Sequence, residues 1–205
     1  MKRILDLNPN TKLYWNSVYK SEDKRVAYAE VTKGQNGASQ RMDYAVKEVN
    51  PGDKVLDIGC GVGLFTKMVK EAYPDCEVWG TDISSDAIEE NKLEGKDITY
   101  FHQYIGQQDK IPDSYFDVVF SGEVLEHIEE PESLFKDAYR ALKQGGRFIL
   151  TTPNENRIRS EEHIWEFNHE DIDKLFEENG FERPRFVDLP DMEWWYVIFA
   201  AGIKK

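Results

Sequence analysis

Two carboxylates and an imidazole lie within five residues, in the segment Glu123-Val124-Leu125-Glu126-His127. If this turn is helical, Glu123, Glu126 and His127 share one face, because residues three and four apart are neighbours on a helix. Such a group can bind a divalent metal, and a histidine can also accept a substrate proton as a general base. Ionised glutamates beside His127 would raise its pKa. The segment therefore predicts proton-transfer or metal chemistry, and the spacing alone does not separate the two.

Three glycines at alternate positions, Gly59, Gly61 and Gly63, follow an apolar run that contains Asp57. They predict a tight turn between a strand and a helix, because glycine adopts positive φ and has no Cβ to keep a ligand from the main chain. The dinucleotide fingerprint is Gly-x-Gly-x-x-Gly, so the third glycine comes one position early here. A carboxylate at Asp57 would repel a pyrophosphate. The turn therefore favours a ligand with a positive charge.

A further carboxylate, Asp82, ends the next apolar run. At that position a carboxylate can accept hydrogen bonds from both hydroxyls of a ribose. The alternative role for Asp82 is capping of the following helix, for which Ser84 and Ser85 are better placed. Asp57 and Asp82 together predict a nucleoside ligand with free ribose hydroxyls and a positive charge.

Short apolar runs bounded by Gly, Pro, Asp or Asn alternate with amphipathic stretches along the chain. Such runs predict buried strands, and their alternation with helices predicts a parallel sheet. The predicted strands are residues 55–58, 78–81, 98–101, 118–120 and 148–151, with two more near residues 186–189 and 196–201. The predicted helices are residues 64–72, 84–93, 131–142 and 171–178.

The first 50 residues show no strand alternation and contain the aromatic residues Tyr14, Trp15 and Tyr19. A break rich in Gly, Gln and Asn interrupts them at residues 34–37. We predict that residues 1–50 form a helical cap with a mobile flap over the site. Residues 51–205 are predicted to form the main domain of a single compact protein.

The formal net charge of −13 argues against a nucleic-acid partner, because such surfaces depend on Lys and Arg. Two cysteines, Cys60 and Cys76, make no disulfide framework, and the N-terminus lacks an apolar secretory segment, so we expect a cytoplasmic protein. The longest apolar tract, residues 194–203, falls short of the roughly 20 residues of a membrane helix, so no membrane span is expected. The sequence does not decide between a monomer and a homodimer.

The ordered combination of these motifs resembles the class I S-adenosylmethionine-dependent methyltransferases. The matching stretches are Asp57-x-Gly59-x-Gly61-x-Gly63, Asp82, residues 116–127 and residues 140–146. The resemblance implies a Rossmann-like, doubly wound α/β fold with helices on both faces of a seven-stranded, mostly parallel sheet. The last strand would lie antiparallel between two others. It also implies S-adenosyl-L-methionine as cofactor, lying across the carboxyl ends of the strands.

Carried over to this sequence, the resemblance implies a set of cofactor contacts. Asp57 would lie near the ammonium and sulfonium charges, and Asp82 would bind the ribose. Gln107 would accept from the adenine amino group in place of an acidic residue. Arg41 would pair with the cofactor carboxylate, with a surface arginine as the alternative. The remaining implied contacts are Gly59, Cys60, Gly61, Ile83, Ser121 and Glu123.

The Glu/His segment, together with His163, resembles two groups of methyltransferases. The ubiquinone-biosynthesis O-methyltransferases imply a small-molecule hydroxyl acceptor, with His127 as general base and His163 lining the pocket. The small-RNA 3′-end 2′-O-methyltransferases imply Mg²⁺ or Mn²⁺ at Glu123, Glu126, His127 and His163. We expect methyl transfer to a hydroxyl, less readily to a nitrogen, of a small molecule. Metal-dependent methylation of RNA 3′ ends and a non-catalytic cofactor-binding module are the alternatives.

Overall fold

The computed structural model describes residues 1–6, 8–20, 38–95, 97–155, 161–192 and 195–205. The predicted flap at residues 34–37 lies outside the described residues. The helices are α1 (Lys12–Lys20), α2 (Ala38–Lys47), α3 (Leu64–Ala72), α4 (Ser85–Glu94), α5 (Pro131–Ala141) and α6 (His169–Glu178). The strands are β1 (Lys2–Arg3), β2 (Lys54–Ile58), β3 (Glu77–Asp82), β4 (Ile98–His102), β5 (Phe116–Gly122), β6 (Leu142–Pro153), β7 (Trp165–Glu166), β8 (Arg185–Met192) and β9 (Trp195–Ile203).

Seven strands form the main sheet in the order β4-β3-β2-β5-β6-β9-β8. Strands β2 to β6 pair in parallel, whereas β9 pairs antiparallel with both β6 and β8. The predicted Rossmann-like α/β fold, with its last strand antiparallel between two others, is therefore confirmed. Because the parallel strands run the same way, their carboxyl ends meet at one edge of the sheet, where ligands of such folds bind.

The apolar faces of the helices cover both sides of this sheet. One core cluster joins α5 and α6 to the sheet through Phe135 and Phe176. The other joins α2 and α3 to the opposite face through Ala45 and Phe65. A helix within the first 50 residues is thus part of the main core. Both cysteines are buried and free, and the cytoplasmic setting stays a prediction.

The helix ends follow the sequence signals closely. Ser84 is the N-cap of α4 and accepts from the backbone N–H of Ala87. Asn168 and Asp171 form a reciprocal capping box at the start of α6, and Pro131 opens α5. The predicted strands lie within β2 to β6, β8 and β9. Strand β6 begins at Leu142, earlier than predicted, and shifts register against β5 between its pairings with Phe116 and Val118.

The prediction of a purely helical N-terminal part is wrong at one point. Strand β1 pairs antiparallel with β7, and the backbone N–H of Ile4 donates to the carbonyl of Ile164 at 2.9 Å. A two-residue strand is too short to show the alternation by which strands are recognised. No helix of the described residues is long and apolar enough to cross a bilayer.

Candidate active site

A cavity of about 910 Å³ opens at the carboxyl edge of the parallel strands. Its walls come from the segments after β2, β3, β4 and β5, from α1, and from residues 162–163. The predicted site residues on its wall are Arg41, Asp57, Gly59, Cys60, Gly61, Asp82, Ile83, Gln107, Glu123, Glu126, His127 and His163. The fold thus brings together residues that are up to 122 positions apart in sequence.

Both the backbone angles and the packing require glycine at two positions of the turn. Gly59 has a φ of +82°, and a Cβ there would collide with the side chain of Val124. Gly61 has a φ of +49°, and its Cβ would lie 2.7 Å from the hydroxyl oxygen of Tyr19. The backbone N–H groups of Gly59 and Cys60 both donate to the carbonyl of Thr81. These glycines therefore let two protein side chains close on the turn, whose residues line the cavity.

Asp57 and Asp82 are both buried beneath this turn, with 2% and 7% of their surface exposed. Asp82 accepts from the backbone N–H of Gly61 at 2.9 Å and of Ser84 at 2.8 Å, whereas Asp57 Oδ1 has no hydrogen-bond partner in the described structure. Burial raises the pKa of both carboxyls, and the charge of Asp82 raises that of Asp57 further. Among the described residues no Lys or Arg pairs with either carboxylate. A ligand with a positive charge would fit here.

Three glutamines line the cavity in the segment after β4. Gln107 lines the cavity with an exposed side chain, so its predicted contact with adenine stays a prediction. Gln103 and Gln108 also line the cavity, and each is 4% exposed. The Oε1 atoms of both lack a hydrogen-bond partner in the described structure. Sequence reasoning missed this pair, although amide residues on both sides of Gln107 were a visible signal.

Two other predicted contacts can be judged from their burial. Arg41 lies on α2, is 6% exposed and lines the cavity, so the alternative of a surface arginine is wrong. Ser121 is fully buried, and its hydroxyl donates to the carbonyl of Ile58 at 2.8 Å. It does not lie on the cavity wall. The prediction of a cofactor contact for Ser121 is therefore corrected: its hydroxyl joins β5 to β2.

The Glu/His segment is not an α-helix. Strand β5 continues to Gly122, Glu123 adopts a left-handed φ of +56°, and only Leu125–His127 form a turn of 3-10 helix. The expected i, i+3, i+4 face is therefore wrong for Glu123, because its backbone lies outside the helical turn. Glu126 is 1% exposed, and its Oε2 accepts from the hydroxyl of Thr152 at 3.1 Å.

His127 lies between Glu126 and Glu162. Its Nδ1 is 3.0 Å from the carbonyl oxygen of Glu162, and its Nε2 is 3.7 Å from Glu126 Oε1. Burial, with a smaller contribution from His163, lowers the pKa of His127 to about 4. Glu123 and Glu162 act in the opposite direction but are outweighed. The expectation of a raised pKa is therefore wrong, and the imidazole is neutral at pH 7.

Glu126, His127 and His163 bring one ligand atom each to within 4.8 Å of one another. This group could hold a metal ion. Glu123 is not a member of the group within the described part of the chain, so the predicted set of four ligands is reduced to three. Glu123 has a left-handed backbone and lies outside the 3-10 turn that contains Glu126 and His127.

The N-terminal strap, which we define as residues 8–20, covers this group. Asn10 Nδ2 donates to the carbonyl of Glu162 at 2.7 Å, and the hydroxyl of Tyr14 donates to Glu162 Oε1 at 2.6 Å. The ring of Trp15 lies edge-on to His127 with centroids 5.2 Å apart. Aromatic residues were the only sequence signal for these contacts, because their partners lie more than 100 positions away.

Comparison with known proteins gives a consistent result. A family model described as "Methyltransferase domain" matches residues 32–183. The chain is 32% identical over 163 residues to a ubiquinone biosynthesis O-methyltransferase of Idiomarina loihiensis, covering 67% of this chain and 65% of the relative. It is 34% identical over 107 residues to phosphoethanolamine N-methyltransferase 3 of Arabidopsis thaliana, covering 51% of this chain and 22% of the relative. The match thus spans less than two thirds of the length of either relative.

The fold also matches a solved structure. Phosphoethanolamine N-methyltransferase 2 of Haemonchus contortus, in complex with S-adenosyl-L-methionine, superposes with a TM-score of 0.76 at 19% identity. The superposition covers 94% of this chain and 59% of the other. At this identity the likeness shows the fold alone.

Proposed function

This chain belongs to the methyltransferase-domain family, and from that premise we propose that it transfers a methyl group from S-adenosyl-L-methionine to a hydroxyl of a small-molecule acceptor. The observation that carries the proposal is the buried pair Asp57 and Asp82 under the glycine turn. Buried carboxylates are costly unless they are paired. A ligand that brings a positive charge and two ribose hydroxyls would satisfy both.

When bound, the cofactor supplies an electrophilic methyl group on a sulfonium. In this proposal Asp57 stabilises the positive charge of the ligand, and its burial strengthens that attraction. Asp82 keeps lone pairs for the ribose hydroxyls while it holds the backbone of Gly61 and Ser84 in place. Arg41 pairs with the methionyl carboxylate. These roles position the ligand so that displacement can proceed in line.

His127 is the proposed proton acceptor. Methyl transfer to a neutral hydroxyl creates a protonated ether, which is a strong acid. A neutral imidazole with a pKa of about 4 can therefore take this proton, although it would not ionise the free hydroxyl beforehand. The lone pair of the neutral imidazole is available at pH 7 to accept this proton.

The charge of the cavity wall favours an acceptor without a phosphate. Five glutamates line the part of the cavity that lies outside the proposed cofactor contacts or borders on them. Arg41 is the only Lys or Arg on the described wall of the cavity. The five are Glu123, Glu126, Glu129, Glu130 and Glu162. Anionic acceptors, nucleic acid included, would be repelled by this wall.

Calorimetry with S-adenosylhomocysteine and a methyl-transfer assay with labelled cofactor test the proposal. The acceptor panel should contain phenols, aliphatic alcohols and amines, each with and without a phosphate. We expect binding of S-adenosylhomocysteine and transfer to at least one uncharged hydroxyl compound. Binding without transfer to any acceptor would support a non-catalytic cofactor-binding module. Absence of binding would overturn the proposal as a whole.

The three-residue group favours one second candidate, a metal-dependent O-methyltransferase acting at the same site. A carboxylate with two imidazoles suits Mn²⁺ better than Mg²⁺, which prefers oxygen ligands, and neutral His127 is in the protonation state that a metal ligand needs. Such a metal would lower the pKa of the acceptor hydroxyl. This candidate includes the expected methylation of RNA 3′ ends, which the acidic wall disfavours.

Chelation separates the two candidates. If a metal is required, EDTA should abolish transfer, added Mn²⁺ should restore it, and Glu126→Gln should lose the response. Glu123→Gln is the matched control for the metal response alone, because Glu123 lines the same cavity but lies outside the group, so this variant should keep the response whatever its rate. Activity that is unchanged by EDTA would support the proton-acceptor role of His127 without a metal.

A further inference from the structure

The carbonyl group of Glu162 connects the N-terminal strap to His127. Its oxygen lies 3.0 Å from His127 Nδ1 and accepts a second hydrogen bond from Asn10 Nδ2 at 2.7 Å. The side chain of the same residue accepts from the hydroxyl of Tyr14 at 2.6 Å. Residue 162 is therefore held from the strap at both its backbone and its side chain.

This contact determines which nitrogen of His127 carries the proton. A carbonyl oxygen can only accept, so Nδ1 must be the donor. In the neutral ring the lone pair then lies on Nε2, the nitrogen 3.7 Å from Glu126 Oε1. Either a proton acceptor or a metal ligand at this position needs a free lone pair on Nε2. Fixing the tautomer through the other nitrogen is a general way to orient such a histidine.

We propose that Asn10 and Tyr14 are positioning residues that hold the Glu162 carbonyl against His127 Nδ1 and so keep Nε2 free for the acceptor. The inference rests on the proposed function for its catalytic meaning, whereas the tautomer can be measured without any substrate. Two further strap contacts support it. Asn8 Nδ2 donates to the backbone carbonyl of His127 at 3.4 Å, and Trp15 packs edge-on against the ring.

Long-range ¹H–¹⁵N spectra of histidine-labelled protein test the tautomer directly. The spectra are recorded at pH 8 in EDTA, so that His127 is neutral and metal-free, and its signals are assigned by their loss in His127→Asn. We expect the wild-type ring to be protonated on Nδ1. In the double variant Asn10→Ala/Tyr14→Phe we expect signals averaged between the two tautomers. Tyr14→Phe alone removes only the hydrogen bond to Glu162 and keeps the ring packing, so it can be measured if the double variant fails to fold.

Kinetics supply the second readout. In the double variant we expect kcat to fall by roughly threefold to tenfold, which corresponds to one lost hydrogen bond at His127. The acceptor KM and the affinity for S-adenosylhomocysteine should stay within about twofold of the wild-type values. Leu13→Ala is the matched control, because Leu13 lies on α1 beside Tyr14 with 81% of its surface exposed. It should change neither spectrum nor rate.

Two results would overturn the inference. One is a wild-type His127 protonated on Nε2. The other is a double variant that retains the wild-type tautomer, whatever its rate. A correct tautomer shift in a protein that methylates nothing would support the positioning role and count against the proposed function, so the two failures are distinguishable.

Discussion

The two halves of the cavity are built in different ways. The half proposed for the cofactor is local: Asp57 and the glycine turn lie within residues 57–63, and Asp82 ends the adjacent strand. The acceptor half is assembled from the turn after β5, from residues 162–163 and from the N-terminal strap. The glycine turn is held by hydrogen bonds from its backbone to Thr81 and Asp82 of the adjacent strand, whereas the assembled half depends on side chains from distant segments. Damage to one half should therefore leave the other largely intact.

The strongest test of this independence is His127→Ala. Removing a proton acceptor or a metal ligand should lower methyl transfer by about 100-fold or more. Binding of S-adenosylhomocysteine, measured by calorimetry, should change less than twofold, because His127 belongs to the acceptor half. Full turnover in this variant would eliminate both roles given to the residue.

The reciprocal change is Asp82→Ala in the cofactor half. Losing two hydrogen bonds from ribose hydroxyls to a carboxylate should weaken S-adenosylhomocysteine binding by about 100-fold, since each is worth about 1.5 kcal/mol or more. The comparison predicts an unchanged His127 tautomer in the same variant. Glu89→Ala on α4 is the control, with a side chain 73% exposed. An altered His127 spectrum would show that the halves are coupled.

The pH dependence of cofactor affinity sharpens the comparison. Burial and Asp82 raise the pKa of Asp57, and a cationic ligand binds its ionised form better. The sulfur of S-adenosylhomocysteine carries no charge, so this ligand serves as the reference. The ratio of the affinity for S-adenosylmethionine to that for S-adenosylhomocysteine should therefore rise with pH by at most about tenfold per pH unit. The rise should end at the pH where Asp57 is already ionised in the ligand-free protein. Asp57→Asn should flatten this ratio. A ratio independent of pH in the wild type would contradict the role of Asp57.

The same raised pKa has a consequence for the ligand-free protein. A carboxyl with a raised pKa in the folded state stabilises the fold below its ordinary pKa, and that contribution is lost as pH rises through the raised value. Urea unfolding without cofactor should show this decrease, and Asp57→Asn should reduce it.

The smallest effect is expected for Ser121→Ala. It removes one buried hydrogen bond, from Ser121 to the carbonyl of Ile58, and should lower the free energy of unfolding by about 1 kcal/mol. Affinity for S-adenosylhomocysteine should stay the same, because the hydroxyl does not reach the cavity wall. A weaker affinity at unchanged stability would instead restore Ser121 as a cofactor contact.

The same division explains what the sequence could predict. Strand periodicity and the glycine turn are local patterns, so the parallel strands and the positions of Asp57 and Asp82 could be predicted from them. The antiparallel last strand is implied only by the resemblance to class I methyltransferases. The 3-10 turn at Leu125–His127 could not, because spacing does not reveal the left-handed backbone at Glu123. The lowered pKa of His127 results from burial by distant segments. Pairing of β1 with β7 joins residues more than 160 positions apart, which no local pattern reports.

The backbone of Glu123 shows where this fold gives up stability. A residue with a Cβ costs about 1 kcal/mol more than glycine in the left-handed region, yet a glutamate occupies φ +56° directly after β5. A more stable chain would have glycine at this position and would lack a carboxylate on the cavity wall. Thermal stability and the charge of the cavity wall are therefore opposed at one residue, and selection of this protein for heat resistance alone should favour changes at Glu123 that remove this carboxylate.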